Sequence, residues 1–249
     1  MIAQNLTRIL TVVIGCIGVV WGARMLPQLR RDAYVNELAS RILLGSTFRP
    51  QQILDVIPDL DAIVNDPHCD ARALRSASIV RLQLVEDALA NADVGRLDQD
   101  FSAGRAVIAK SLACSPSDSY LWLSMFWLDS ISRGFRPNDL ALLRMSYQQG
   151  PDEGWIMVKR NRLALAIFSA LPPDLAGLAL AEFRELLQPE YVGAAVDNLV
   201  GPGWPIHETL LASTREAPET QRMTFARMLY GKGYDVAVPG IARQEFPGH

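Results

Sequence analysis

The first apolar run of this chain stands apart from all that follow it. Residues 9–23 (ILTVVIGCIGVVWGA) carry no charge and lie between Arg8 and Arg24. As a helix rising about 1.5 Å per residue, the run covers roughly 22 Å, short of a ~30 Å hydrocarbon core. Leu6, Met25, Leu26 and Leu29 lengthen it. The two arginines can reach to the headgroups, and Trp21 suits the membrane interface. The pattern predicts an N-terminal transmembrane helix.

Beyond it, apolar positions recur at steps of three and four. Asp32 to Leu44 carries Tyr34, Leu38, Ile42 and Leu43 on one stripe, and Pro50 to Asn65 carries Ile53, Leu54, Ile57, Leu60 and Val64. Pro58 inside the second segment predicts a kink or a break. Asp70 to Asn91 places Ala73, Ala77, Val80, Leu84 and Ala88 on one face, and Leu97 to Cys114 turns Phe101, Ile108 and Leu112 inward. Ser115-Pro116 ends that helix, and Ser117 or Asp118 caps the next, Tyr120 to Ser132. Further helices are predicted from Asn138 or Asp139 to Gln149, over Asp152 to Ala170, Asp174 to Gln188 and Pro189 to Val200, and, after the turn-rich GPGWP at 201–205, over Ile206 to Thr214 and Pro218 to Tyr230. No stretch sustains period-two alternation, so the fold class expected is all-α.

One internal repeat emerges. PSDSYLWL at 116–123 and PDEGWIMV at 151–158 align without a gap at a spacing of 35 residues, each with an aromatic four positions after the proline. Such spacing suits a two-helix unit that buries its apolar face only against neighbours. The segment from Phe101 to Pro116, with Gly104, Ile108, Ser111 and the closing proline, resembles the second helix of a tetratricopeptide repeat. The resemblance covers roughly residues 66–170, and Phe126 departs from it, standing where that family's first helix prefers a small residue. It implies a TPR-like stack of antiparallel helical hairpins that serves as a protein-binding scaffold. The chain is then expected to comprise an anchor (1–30), connecting helices (31–65), a helical-repeat domain (66–200) and a C-terminal hairpin with an extended tail (201–249). In the tail Tyr234, Val236, Val238 and Ile241 form an apolar strip, which either caps the last hairpin or docks a partner; these four are the candidate partner-binding residues.

Two other readings of the N-terminus stay open. A cleaved signal peptide needs small residues at the cut, and Trp21 before Ala23 meets that need poorly. Val13-Ile14-Gly15-Cys16 resembles a lipobox, yet the hydrophobic region before it is short and the residues after it are apolar. Composition adds little: the formal net charge is −3, and the 24 basic residues form no stripe, so no nucleic-acid partner is expected. His68, His207 and His249 share no ligand spacing, and phosphate-cradling and nucleophile-elbow patterns are absent. No cofactor, metal or enzymatic activity is expected. Trp122, Phe126 and Trp127 read as core, and Arg72, Arg75, Arg81, Arg160 and Arg162 as a solvated face.

Cys69 precedes one helix of a predicted hairpin and Cys114 closes the other, so an antiparallel pair brings them to one side; a bridge and two independent thiols are both compatible with that. A bridge implies a soluble part outside the cytoplasm. Arg24, Arg30 and Arg31 after the apolar run lean the opposite way, toward a cytoplasmic domain. Anchor, degenerate repeats and tail together are similar in layout to small envelope proteins of bacterial surface-polysaccharide production. The reading is a non-enzymatic, single-pass inner-membrane scaffold or accessory protein facing the periplasm, its partners other envelope proteins. A cytoplasm-facing adaptor, or an enzyme of unrecognised type, are the alternatives.

Overall fold

The computed structural model describes residues 2–46 and 48–242; His249 and the side chains of Leu6 and Arg8 lie outside that description. Helices follow one another as α1 (Ile2–Leu43), α2 (Pro50–Leu54), α3 (Ile57–Asn65), α4 (Ala71–Ala90), α5 (Val94–Cys114), α6 (Ser119–Arg133), α7 (Leu140–Gln149), α8 (Gly154–Ala166), α9 (Pro173–Glu185), α10 (Val192–Val200), α11 (His207–Ser213) and α12 (Glu219–Gly231). Among the described residues there is no strand. The chain divides into two compact units, 1–116 and 117–249, a boundary that falls inside the span expected to be one repeat domain.

In the first unit, α1 runs unbroken through both the apolar segment and the stretch expected to be a separate connecting helix. Only Pro27 interrupts its backbone ladder, since proline lacks the N–H that the Ala23 carbonyl would accept. The helix stops where Gly45 adopts φ +76°, its N–H bonding to the Ile42 carbonyl while that of Ser46 bonds to Arg41, a Schellman closure. Its two halves differ in environment. Leu10, Val12, Ile14, Ile17, Val19 and Trp21 are each more than half exposed, whereas Val35, Leu38 and Ala39 are buried where α1 packs on α4. Helix α1 is long and apolar enough to cross a membrane.

Helix α4 is the centre of this unit, packed by α1, α2, α3 and α5. Small Ser76, Ala77 and Ser78 let those neighbours approach closely, and Asp70 caps its start by accepting from the Ala73 N–H at 3.0 Å. The segment containing Pro58 is split: α2 ends at Leu54, and the proline sits in the first turn of α3, where its missing N–H costs nothing. Buried Arg81, expected on a solvated face, pairs with Asp61.

The second unit holds α6 to α12. Asp118 caps α6 through the Leu121 N–H, and the Ser119 hydroxyl donates to the Ser146 carbonyl near the end of α7 at 2.8 Å, so α6 and α7 run antiparallel. The two sequence-equivalent aromatics, Tyr120 and Trp155, each occupy the second position of their helices, and their rings pack 4.9 Å apart. Their environments differ, Tyr120 being buried and Trp155 40% exposed. The segment 201–242 contributes to the core of this unit: Leu210, Phe225, Leu229 and Val238 share one apolar cluster with Met157, Phe183 and Leu199. Phe183 and Phe225 meet edge to face at 5.9 Å.

Candidate functional site

Three places gather chemistry-bearing side chains. The first lies at one end of unit 1. Cys69 and Cys114 are joined, with Cα atoms 5.8 Å apart, which sets the start of α4 beside the end of α5. The Lys110 ammonium donates to the carbonyls of Val64 (2.6 Å) and Asp66 (2.5 Å), tying α5 to the α3–α4 turn. Gln28 of α1 donates to the Asp66 carboxylate at 3.1 Å. The His68 backbone N–H donates to Asp66 at 2.9 Å, and with the His68 ring beside it at 3.0 Å these bonds hold the carboxyl below its usual range. Cys16, the third cysteine, is free and exposed on α1.

The second place is inside unit 2, and composition gave no sign of it. Arg160 is wholly buried. Its Nε donates to Glu182 at 2.8 Å, its Nη1 to the carbonyls of Ser146 (2.8 Å) and Gly150 (3.0 Å), and its Nη2 to that of Pro151 (3.2 Å). The Tyr147 hydroxyl donates to the other Glu182 oxygen at 3.0 Å, and its ring lies 4.2 Å from the guanidinium. Burial pushes the Glu182 carboxyl up to about 7, against the opposing pull of Arg160 and the Tyr147 hydroxyl. Burial, with the Glu182 charge beside it, also raises Tyr147 well above its ordinary value. Arg160 is therefore buried, not part of the solvated face expected of it. The trio fastens the end of α7 to α8 and α9.

The third place is the tail. Gly233, at φ +85°, closes α12 with a second Schellman turn: its N–H bonds to the Tyr230 carbonyl and that of Tyr234 to Leu229. This turns the strip back over its own helix. Val238 is buried, and Tyr234, Val236 and Ile241 pack half-buried on the unit's core. Arg222 fastens the strip by donating to the Pro239 carbonyl. The crevice they leave has a volume of about 30 Å³, room for water and little else. Trp204 stacks on His207 at 4.5 Å and meets Tyr234 at 5.2 Å.

Among the described residues no three of His, Cys, Asp and Glu are grouped to hold a metal ion. Phe126 is core and Trp122 and Trp127 are half-buried. No protein-family model matches the chain, and neither a curated protein nor a solved structure matches it.

Proposed function

We propose that this protein is a non-enzymatic scaffold or accessory subunit, held in the inner membrane by α1 with its two helical units in the periplasm, and that it serves other envelope proteins in surface-polysaccharide assembly. The observation that carries the reading is the contrast along one helix. An uncovered apolar half asks for a lipid environment, while the other half is built into a folded unit. The Cys69–Cys114 bond supports the periplasmic side, since such bonds persist in oxidising compartments. Consecutive antiparallel pairs, and the Tyr120–Trp155 contact at equivalent helix positions, support a repeat scaffold of the tetratricopeptide kind. The titratable trio around Arg160 is closed to solvent, which suits packing rather than catalysis.

The three arginines that follow the apolar run favour a second reading, a cytoplasm-facing adaptor. A reporter enzyme that folds only in the periplasm, fused after His249, separates the two. Activity is expected, and an inactive fusion that is made in full and stays in the membrane fraction would overturn the periplasmic side.

A further inference from the structure

The geometry at the lower end of unit 1 says more than that the unit is tethered. Helix α1 continues through Pro27 from its apolar half to Gln28, which bonds to Asp66 in the α3–α4 turn. From Ala23, the last residue of the uncharged run, to Gln28 is five residues, or about 7.5 Å of helix. The headgroup zone on each side of a bilayer is roughly 5–7 Å deep. Gln28 therefore stands within the headgroup zone, nearer the tails to the extent that Met25 and Leu26 lengthen the apolar run, and Asp66, bonded to Gln28, is held at the same height. With Asp66 come the rest of the α3–α4 turn, the start of α4 and, through Lys110 and the Cys69–Cys114 bond, the end of α5.

The charges at this end are unequally engaged. Asp32 pairs with Arg31, Asp66 is taken up by Gln28 and His68, and Asp70 caps α4. Arg24 and Arg72 are exposed, and no carboxylate pairs with either among the described residues. Arg24 lies one turn below Gln28 and on the same face of α1, inside the depth of the headgroups. Arg72 stands in the first turn of α4, just above. The overall charge of −3 hides this local excess of cation.

We propose that this end of unit 1 is a foot seated in the headgroup layer, and that Arg24 and Arg72 bind the phosphates of anionic phospholipids. The proposal rests on the membrane reading of α1, and the two can fail separately. Full-length protein is reconstituted in vesicles of phosphatidylcholine with a minor share of phosphatidylglycerol. Replacing Pro67 with a photoreactive benzoylphenylalanine should give cross-links to phospholipid on illumination, and the same replacement at Asn91, at the other end of α4, should give none. Spin-labelled phosphatidylglycerol should associate with the protein in preference to spin-labelled phosphatidylcholine. R24Q/R72Q should lower that preference by about fivefold per arginine, and R24K/R72K should keep most of it. Pro67 without lipid cross-links, or a preference that R24Q/R72Q leaves unchanged, overturns the foot while α1 remains an anchor. Release of the chain from the vesicles by alkaline carbonate overturns the anchor, and the foot with it.

Discussion

A buried guanidinium is tolerated only when its donors find acceptors, because its desolvation costs several kcal/mol. Arg160 meets that condition with one carboxylate and three backbone carbonyls. Arg160→Met should therefore destabilise unit 2 by about 3–5 kcal/mol in denaturant titrations of the detergent-solubilised chain, much of it from leaving Glu182 unpaired. Arg160→Met with Glu182→Leu should lose markedly less than the single change. Glu182 also gives unit 2 a pH dependence of known sign. Its folded-state value of about 7 lies above the ordinary 4.5, so between those limits the folded chain keeps a proton that the unfolded chain has released. Stability should then fall as pH rises from about 4.5 to 7, and Glu182→Gln should remove that part of the slope; an unchanged slope would discharge Glu182 from the role. The inward position of Arg160 was legible, since it follows buried Ile156 and Met157 by four and three residues and precedes Ala164 by four. Its residue type pointed outward, and its acceptors lie on α7, on α9 and in the turn before α8, between 9 and 22 residues away in sequence. No local spacing encodes such a set.

At the level of helices, several starts and stops were legible because the signals that make them are local: a cap at Asp118, a break at Pro58, glycine after α1 and α12. The course of α1 was harder to read. Pro27 follows the apolar run closely and invites a boundary there, yet the burial of Val35, Leu38 and Ala39 against α4 rewards a helix that simply continues. The tail strip was recognised as apolar, and its destination is set by the left-handed turn at Gly233, which aims it at α12. The Cys69–Cys114 bond spans 45 residues of sequence and closes the α4–α5 pair. By the loop-entropy relation, C69S/C114S should cost unit 1 about 4 kcal/mol, read as a lowered denaturation midpoint for a probe in α4. Equal midpoints with and without reductant would show that the bond contributes nothing.

For the whole molecule, the sequence suggested four consecutive segments, and the chain instead gathers into two units that each absorb a neighbour: α1 to α3 join α4 and α5, while the C-terminal fifth completes the core of α8 to α10. Periodicity reveals which face of a helix is apolar but not which other helix covers it. If the anchor is retained, mass spectrometry of the membrane-extracted protein should recover peptides from residues 2–23; a mature chain starting at Ala23, at Arg24 or at an acylated Cys16 would show processing instead.

The continuity of α1 has a mechanical side. Its 42 residues make a rod of about 63 Å. One end lies among lipid tails in the arrangement proposed above, and the other is locked into a folded body by Val35, Leu38 and Ala39. Lengthened by its flanking leucines from Leu6 to Leu26, the apolar run reaches about 31 Å, and a bilayer thinner than that obliges such a rod to lean. A lean of about 10° carries the far end sideways by about 11 Å, and the folded body turns with it. Pro27, where one rung of the backbone ladder is missing, is the only weak joint along the way. Membrane thickness would thus set the heading of unit 1 as a lever arm sets the heading of its load.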